Sequence, residues 1–443
     1  TRVRSSAASD VYKRQILSCA GLIGSVLFKP SVSIGKGGRY AISIYWIPPV
    51  AGGLILLLTG ALGVKEAWAG LTASGDMNPL KILALFVCLT FLSVYLDELG
   101  FFRRLATVAL RRAGGSQKKL FFALYALVSV LTVFTSNDIV VLTFTPFICS
   151  FCKSERVSPV PYLVGEFVAA NTWSMMLVIG NPTNIYLASA CGIGFGEYFA
   201  AMWLPTLAAG LSALLVLYLL FRKKLSRPLE SLAERAEVED KGLVVIGLVH
   251  LAACVVCLAL SSYIAFPMWL AAVCFALSLG VCTFVYAAAR RSAGKGGKLI
   301  LRSLGRAPWV LVPFVISMFL IVLSLEKYGI TERIASLLGG DGEIFKYGVA
   351  SFLAANVINN IPMSVLFGGV LESGAGAGAV YATIVGSNLG AYLTPVGALA
   401  GIMWTGLLRT YEVDFSFRKF VLYGAALSLP ALASSHLCLW AVL

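Results

Sequence analysis

The sequence predicts an all-α polytopic membrane protein, an inverted repeat whose halves each hold five transmembrane helices and one re-entrant hairpin. Three observations carry that expectation. Of the 443 residues 59% are hydrophobic and only 13% charged, with a mean hydropathy of +0.87, where a soluble domain carries roughly 25% charged residues. The apolar residues gather in runs long enough to cross a bilayer. Finally, one ordered set of polar and Gly/Pro motifs occurs twice along the chain.

Taken in order, residues 1–15 begin without Met and lack apolar character. The stretch SSAASDVYKRQ is similar to translated library-adapter sequence, so this segment is expected to be non-native or disordered and is set apart from the fold. Spans are expected over 16–28, 44–63 and 80–98. The run 120–152 is too long for one span and short for two with a solvated loop. Lysines precede it and Lys153 and Arg156 follow it, and Thr135-Ser136-Asn137-Asp138 sits at its middle. A polar row at that depth lines a water-filled site or is buried in protein, which predicts a hairpin that enters and returns. Spans follow over 158–187 and 195–221, and 222–241 is a charged cytoplasmic linker. The second half holds 242–263, 266–289, 308–326, a hairpin 345–371, 376–408 and 420–443. The first repeat is thus 16–221 and the second 242–443, with ten crossings and two hairpins.

Charge orients the chain. Twenty-six Lys and Arg fall in segments on one side and 5 on the other, apart from 4 in the N-terminal segment; the basic side is cytoplasmic by the positive-inside rule, in the inner (plasma) membrane. The net charge of +14 therefore reflects topology rather than nucleic-acid binding. Ten cysteines scattered through apolar runs read as small buried hydrophobes. Two CxxC spacings, Cys149/Cys152 and Cys254/Cys257, lack the remaining ligands of a zinc site.

The repeat shows in LDELGFFRRLA (96–106) against LEKYGITERIA (325–335), then Asn137-Asp138 against Asn359-Asn360, then Asn171 and Gly180 against Asn388 and Gly397. Five crossings separate equivalent spans, an odd number, so the halves are expected to be inverted. Broken helices meeting at mid-membrane belong to alternating-access transporters. The candidate substrate- or ion-binding residues are Ser136, Asn137, Asp138, Asn171, Asn181 and Thr183 from the first half, and Asn356, Asn359, Asn360, Ser387, Asn388 and Thr394 from the second. Pro182 and Pro395 free backbone carbonyls beside them. Asp138 is a lone intramembrane acid, a default candidate for H⁺ or Na⁺ coupling, and its bland alternative is a cap on the returning hairpin arm. Glu166 is either a second coupling group or a solvated residue at the cytoplasmic lip. Asp97, Glu98 and Glu326 are expected at the interface, and the isolated His250 and His436 carry no role.

The segments SNDIVVLTFTP (136–146), GNPTN (180–184) and VGSNLGAYLTPVGALA (385–400) resemble the ion transporter superfamily. Within it they are most similar to the arsenite-efflux (ArsB) and sodium–proton antiporter (NhaD) branch, related to citrate and dicarboxylate carriers. The resemblance spans residues 78–409 and implies a scaffold domain and a moving transport domain, with hairpins and broken helices forming the site. ArsB-like pumps tend to carry an acid where this chain has Asn388. The Ser-Asn-Thr tip of dicarboxylate carriers is here Ser136-Asn137-Asp138, whose charge disfavours a dianion unless Na⁺ compensates.

The expected activity is ion-coupled export of arsenite or a related metalloid oxyacid. Na⁺/H⁺ exchange and cation-coupled citrate or dicarboxylate transport are the alternatives. A membrane-embedded enzyme ranks last, because no nucleophile, base and orienter converge. The expected partners are a small ion and the lipid bilayer, with no nucleic acid, resident metal or cofactor beyond the coupling H⁺ or Na⁺. A homodimer, and a cytoplasmic ATPase subunit in a true arsenite pump, are compatible with this reading.

Overall fold

The computed structural model describes residues 46–72, 78–226, 228, 240–261, 263–264, 266–290, 293–307 and 309–443, together with the backbone of 31–34 and 40–43. The expected N-terminal segment 1–15, the span 16–28 and most of the 222–241 linker lie outside them. A short antiparallel ladder, β1 (Ser31–Ile34) with β2 (Tyr40–Ser43), is the one departure from helix among the named elements.

The apolar stretch expected as one span over 44–63 holds a helix of only 12 residues. α1 (Ile47–Leu58) ends at Thr59, and after a glycine turn α2 (Val64–Leu71) runs as a short amphipathic helix that exposes Lys65, Glu66 and Trp68 and buries Ala67. α3 (Pro79–Glu98) starts where Asn78 accepts the Leu80 and Lys81 amides through its side chain. Gly100 ends it in the left-handed conformation (φ 76°), which a residue with a Cβ rarely adopts. The chain then turns into α4 (Phe101–Arg112), which buries Phe102, Ala106 and Leu110 and exposes Arg103, Arg104, Arg111 and Arg112.

The central helices of the first half are α5 (Gln117–Phe134), α6 (Asn137–Ser154), α7 (Val160–Trp173), a 3-10 turn Val178–Gly180, α8 (Pro182–Ala190) and α9 (Phe195–Phe221). The second half runs α10 (Lys241–Leu260), α11 (Met268–Ala289), amphipathic α12 (Ala293–Gly305), α13 (Leu311–Lys327), α14 (Ile330–Leu338), α15 (Glu343–Ile358), α16 (Asn360–Glu372), α17 (Ala377–Gly390), α18 (Leu399–Thr410) and α19 (Phe417–Val442). Among the described residues α3, α5, α9, α10, α11 and α19 are long and apolar enough to cross a bilayer. The pair α13–α14, bent by 80°, makes a seventh if counted as one span. The stretches expected over 158–187 and 376–408 are each two helices separated by an unwound segment, α7/α8 and α17/α18. The loops expected over 103–119 and 290–306 contain the amphipathic α4 and α12, whose mixed polar and apolar faces resemble surface segments in composition.

Several arrangements occur once in each half. Like α3 at Gly100, α13 ends at a left-handed glycine, Gly329 (φ 69°), and turns into a short amphipathic helix. α5 packs on α7 as α15 packs on α17. The returning arm α6 packs against α18 of the other half, and α16 packs against α8. Arg306, just past α12, binds Asp97 and Glu98 at the end of α3 at 2.7 and 2.6 Å, and Glu66 of α2 binds Lys327 at the end of α13 at 2.7 Å. In both clasps the amphipathic helix preceding one half's span holds the end of the other half's span. Asp97 and Glu98, expected at the interface, lie largely covered in their ion pairs with Arg306.

Candidate functional site

The first break lies between α5 and α6. Thr135 is extended (φ −134°, ψ 179°), and Ser136 begins α6 without a side-chain cap bond. Asn137 turns inward, where its Nδ2 donates to Asn171 Oδ1 at 3.1 Å, and Asn171 Nδ2 donates in turn to the Phe167 carbonyl at 2.8 Å. α7 unwinds after Trp173. Pro182 cannot donate a backbone N–H to a continuing helix, and Gly180 leaves no room for a side chain, since a Cβ there would strike the Ser174 carbonyl. Asn181 caps α8 by accepting the Thr183 amide at 3.2 Å.

The second break is built from the same residue types. Asn359 joins α15 to α16 at φ 73°, ψ 153°, a conformation costly for any residue but Gly. It is held by Asn359 Nδ2 donating to the Val396 carbonyl at 2.8 Å, and by the Asn360 amide donating to the Gly397 carbonyl at 3.0 Å. Asn356 Oδ1 accepts from both the amide and the hydroxyl of Thr394, at 3.0 and 2.8 Å. The second hairpin tip is thus bonded to the unwound stretch between α17 and α18.

Asn388 joins the two halves. Its Nδ2 donates to Asn184 Oδ1 at 2.7 Å and to the Ile384 carbonyl at 2.8 Å. Its Oδ1 accepts from Asn181 Nδ2 at 3.0 Å and lies 2.9 Å from Ser174 Oγ, whose single hydrogen it shares with the Asn171 carbonyl. Thr172 donates to the Tyr392 hydroxyl at 3.2 Å beside it. Ser174, Asn184 and Tyr392 are additions to the sequence-derived set. Asn184 lies within the GNPTN motif and Tyr392 within the second motif, but Ser174 stands between motifs with no local signal.

Burial sorts the candidates by what their polar atoms still lack. Asn181, Asn356, Asn388 and Thr394 spend their side chains on protein partners. Among the candidate residues, five buried oxygens have no hydrogen-bond partner, Ser136 Oγ, Asn137 Oδ1, Thr183 Oγ1, Asn360 Oδ1 and Ser387 Oγ, while outside the candidate set the hydroxyls of Thr90, Thr132, Ser324, Ser428 and Ser435 are unpartnered as well among the described residues. Leaving such groups unmade costs about 1–3 kcal/mol each, so each calls for a partner such as water, an ion or a solute. The five candidate oxygens all lie at the breaks or in the helical turns beside them. Asp138, in the first turn of α6, is half-buried, and among the described residues none hydrogen-bonds its carboxylate. The capping alternative for Asp138 is therefore not what the structure adopts.

Glu166 is 2% exposed, so the reading of it as a lip residue is corrected. Thr145 Oγ1 lies 3.1 and 3.2 Å from its two oxygens, and Trp404 Nε1 donates at 3.3 Å from the second half. Trp404 also stacks on Phe167 at 4.9 Å. Neither Thr145 nor Trp404 stood out in its apolar run. Among the described residues no three His, Cys, Asp or Glu gather as metal ligands, so the open valences belong to neutral oxygens and one carboxylate. A cavity of about 270 Å³ lies away from the breaks, lined by Lys81, Ser189, Ser261, Phe266 and Trp269 among others.

A family model described as citrate transporter (CitMHS) matches residues 42–382. The chain belongs to the CitMHS citrate transporter family. This CitMHS protein is similar to the "Arsenical pump membrane protein" of Escherichia coli (strain K12), 29% identical over 373 residues that cover 79% of this chain and 83% of that one. It is also similar to the "Putative arsenical pump membrane protein" of Bacillus subtilis (strain 168), 24% identical over 411 residues, 85% and 89% of the two chains. Among solved structures it shares its fold with the Alcanivorax borkumensis YdaH transporter (TM-score 0.56, 14% identity, 98% and 97% coverage) and Neisseria gonorrhoeae MtrF (TM-score 0.52, 17% identity, 98% and 94% coverage). The CitMHS chain is a multi-pass inner-membrane transporter and not an enzyme.

Proposed function

We propose that the protein exports arsenite or a related neutral metalloid oxyacid by alternating access between two inverted repeats, driven by H⁺ or Na⁺ at Asp138. The observation that carries this reading is the chemistry of the open valences. Hydroxyl and amide oxygens remain unpartnered at the breaks beside one carboxylate, and no Lys, Arg or His belongs to the hydrogen-bonded network there. Near neutral pH arsenite is an uncharged trihydroxide whose three O–H groups seek acceptors of that kind. A cation accepts the same oxygens and the Asp138 carboxylate, so ion and solute can share the site. The names of the similar pumps support the substrate, and the cross-half packing of α6 on α18 and α16 on α8 supports two equivalent halves.

A second reading has its own support in the citrate description of the matched family model. A citrate anion here requires bound cations to offset Asp138. In a strain lacking its own arsenite pump and major Na⁺ exchangers, the expected result is restored arsenite resistance. Everted vesicles should then accumulate arsenite under a pH or Na⁺ gradient. Restored Na⁺ resistance without arsenite protection would overturn the metalloid reading in favour of cation exchange, and gradient-driven citrate uptake would favour the carboxylate reading. The ion gradient is the proposed energy source. A cytoplasmic ATPase subunit and a homodimer belong to the same reading, testable by co-expression and by mass measurement in detergent.

A further inference from the structure

The groups at the breaks divide into those with open valences and those with none, and Asn388 stands at the extreme of the second kind. It is fully buried, and both carboxamide atoms are satisfied by Asn181, Asn184, Ser174 and Ile384, three of them in the opposite half and 204 to 214 positions away in sequence. Asn184 is equally committed, its Nδ2 donating to the Ser174 and Leu177 carbonyls at 2.8 and 3.3 Å. A ligand of the transported species needs a free lone pair or proton; Asn388 has no free proton, and its oxygen is already held by Asn181 and shares the Ser174 hydrogen.

We propose that Asn388 is a positioning residue. It welds the unwound segment between α7 and α8 to α17, so that the open oxygens contributed by the two halves keep one geometry, and it does not touch the cargo. The inference deepens the transport reading and rests on the breaks being the transport site. The weld depends on donors as much as acceptors. An aspartate at 388 reproduces the shape and the acceptor atom. When protonated its single O–H donates to Asn184 Oδ1 and the side-chain bond to the Ile384 carbonyl is lost; when ionised it sets a buried negative oxygen against both acceptors. Asn184 cannot rotate to help, because its own amide is held by two carbonyls. None of the four partners of Asn388 titrates. The titratable groups on α17 and the helices packed on it include Tyr381 on α17 itself, Glu166 on α7, Tyr186 on α8, Tyr347 on α15, Glu372 on α16, His436 on α19 and, just past α17, Tyr392. Glu166 is held by Thr145 and Trp404, His436 Nδ1 by the Leu432 carbonyl and Tyr392 by Thr172, none of which belongs to the weld.

The test compares wild type, Asn388→Asp and Asn388→Ala in matched proteoliposomes and detergent, with melting temperature and arsenite transport read at about pH 5 and about pH 8. Asn388→Asp should melt somewhat below wild type at the acid pH, where the side-chain bond to the Ile384 carbonyl is already lost, and well below it at the alkaline pH, where the bond to Asn184 goes too. Its turnover, relative to wild type at each pH, should fall roughly tenfold further at the alkaline pH than at the acid pH, the cost of one more unmade buried hydrogen bond, with KM changing less than kcat. Asn388→Ala should be impaired at both. A pH-independent gap between Asn388→Asp and wild type in both readouts would overturn the weld. A raised KM with unchanged kcat would overturn it in favour of direct contact with the cargo. Should wild type move no arsenite, the substrate reading fails, and the melting curves alone decide the weld.

Discussion

Asp138 and Glu166 are two acids at membrane depth with opposite surroundings. Asp138 is half-buried in the first turn of α6 with no bonded partner among the described residues, while Glu166 is enclosed by Thr145 and Trp404. Exchange suits the unpartnered group. Asp138→Asn should insert and melt like wild type, because a neutral amide relieves desolvation and no cap bond is lost. Gradient-driven accumulation should vanish while passive exchange of cargo persists; near-normal uptake by this variant would shift coupling to Glu166. Glu166 has the geometry of a buried brace between halves. Trp404→Phe keeps the stack on Phe167 but removes the N–H, and should cost about 1–3 kcal/mol. In a Glu166→Gln background the same change should cost less, and strict additivity in that double-mutant cycle would deny the bond its role. At Asn359 two terms oppose each other. Asn359→Gly relaxes the backbone at φ 73° while losing the Val396 bond, so its melting temperature should stay near wild type. Asn359→Ala keeps the backbone strain that wild type already bears and loses the bond, about 1–3 kcal/mol, and equal stability of the two variants would remove strain from the account.

At the scale of elements, helix breaks are set by local chemistry and fixed by close backbone approach. Gly180→Ala should lower the melting temperature and abolish transport, because its Cβ meets backbone rather than a side chain that can swing aside. Gly406→Ala, on an exposed face of α18 with open space around it, is the control and should be neutral or slightly stabilising. Similar losses in the two would mean that the break at Gly180 needs no glycine. The amphipathic helices α2, α4, α12 and α14 were the elements least legible in the sequence. They are short and polar on one face, and an interfacial helix and a charged loop share that composition. Their clasps through Arg306 and Lys327 join residues more than 200 positions apart, a distance at which no local pattern speaks.

For the whole molecule, the charge asymmetry makes the orientation testable. In a cysteine-light background, tags in 103–119 and 290–306 should label only from the cytoplasm, and tags near Lys65 and Lys346 only from outside. External labelling of 290–306 would overturn the inverted arrangement. The sequence by itself determined the membrane class, the basic face and the positions of the four breaks. Each follows from hydropathy, from charge counting, or from Gly, Pro and Asn acting on the chain within a turn of where they stand. Which of the polar residues at those breaks are still free to bind was decided only by the tertiary structure. Asn388 and Ser387 are neighbours of similar chemistry, yet packing of the opposite half satisfies every polar atom of the Asn388 side chain and leaves the Ser387 hydroxyl without a partner. Hydrogen-bond capacity is a property of the residue, but its use depends on partners that only the folded chain brings within 3 Å.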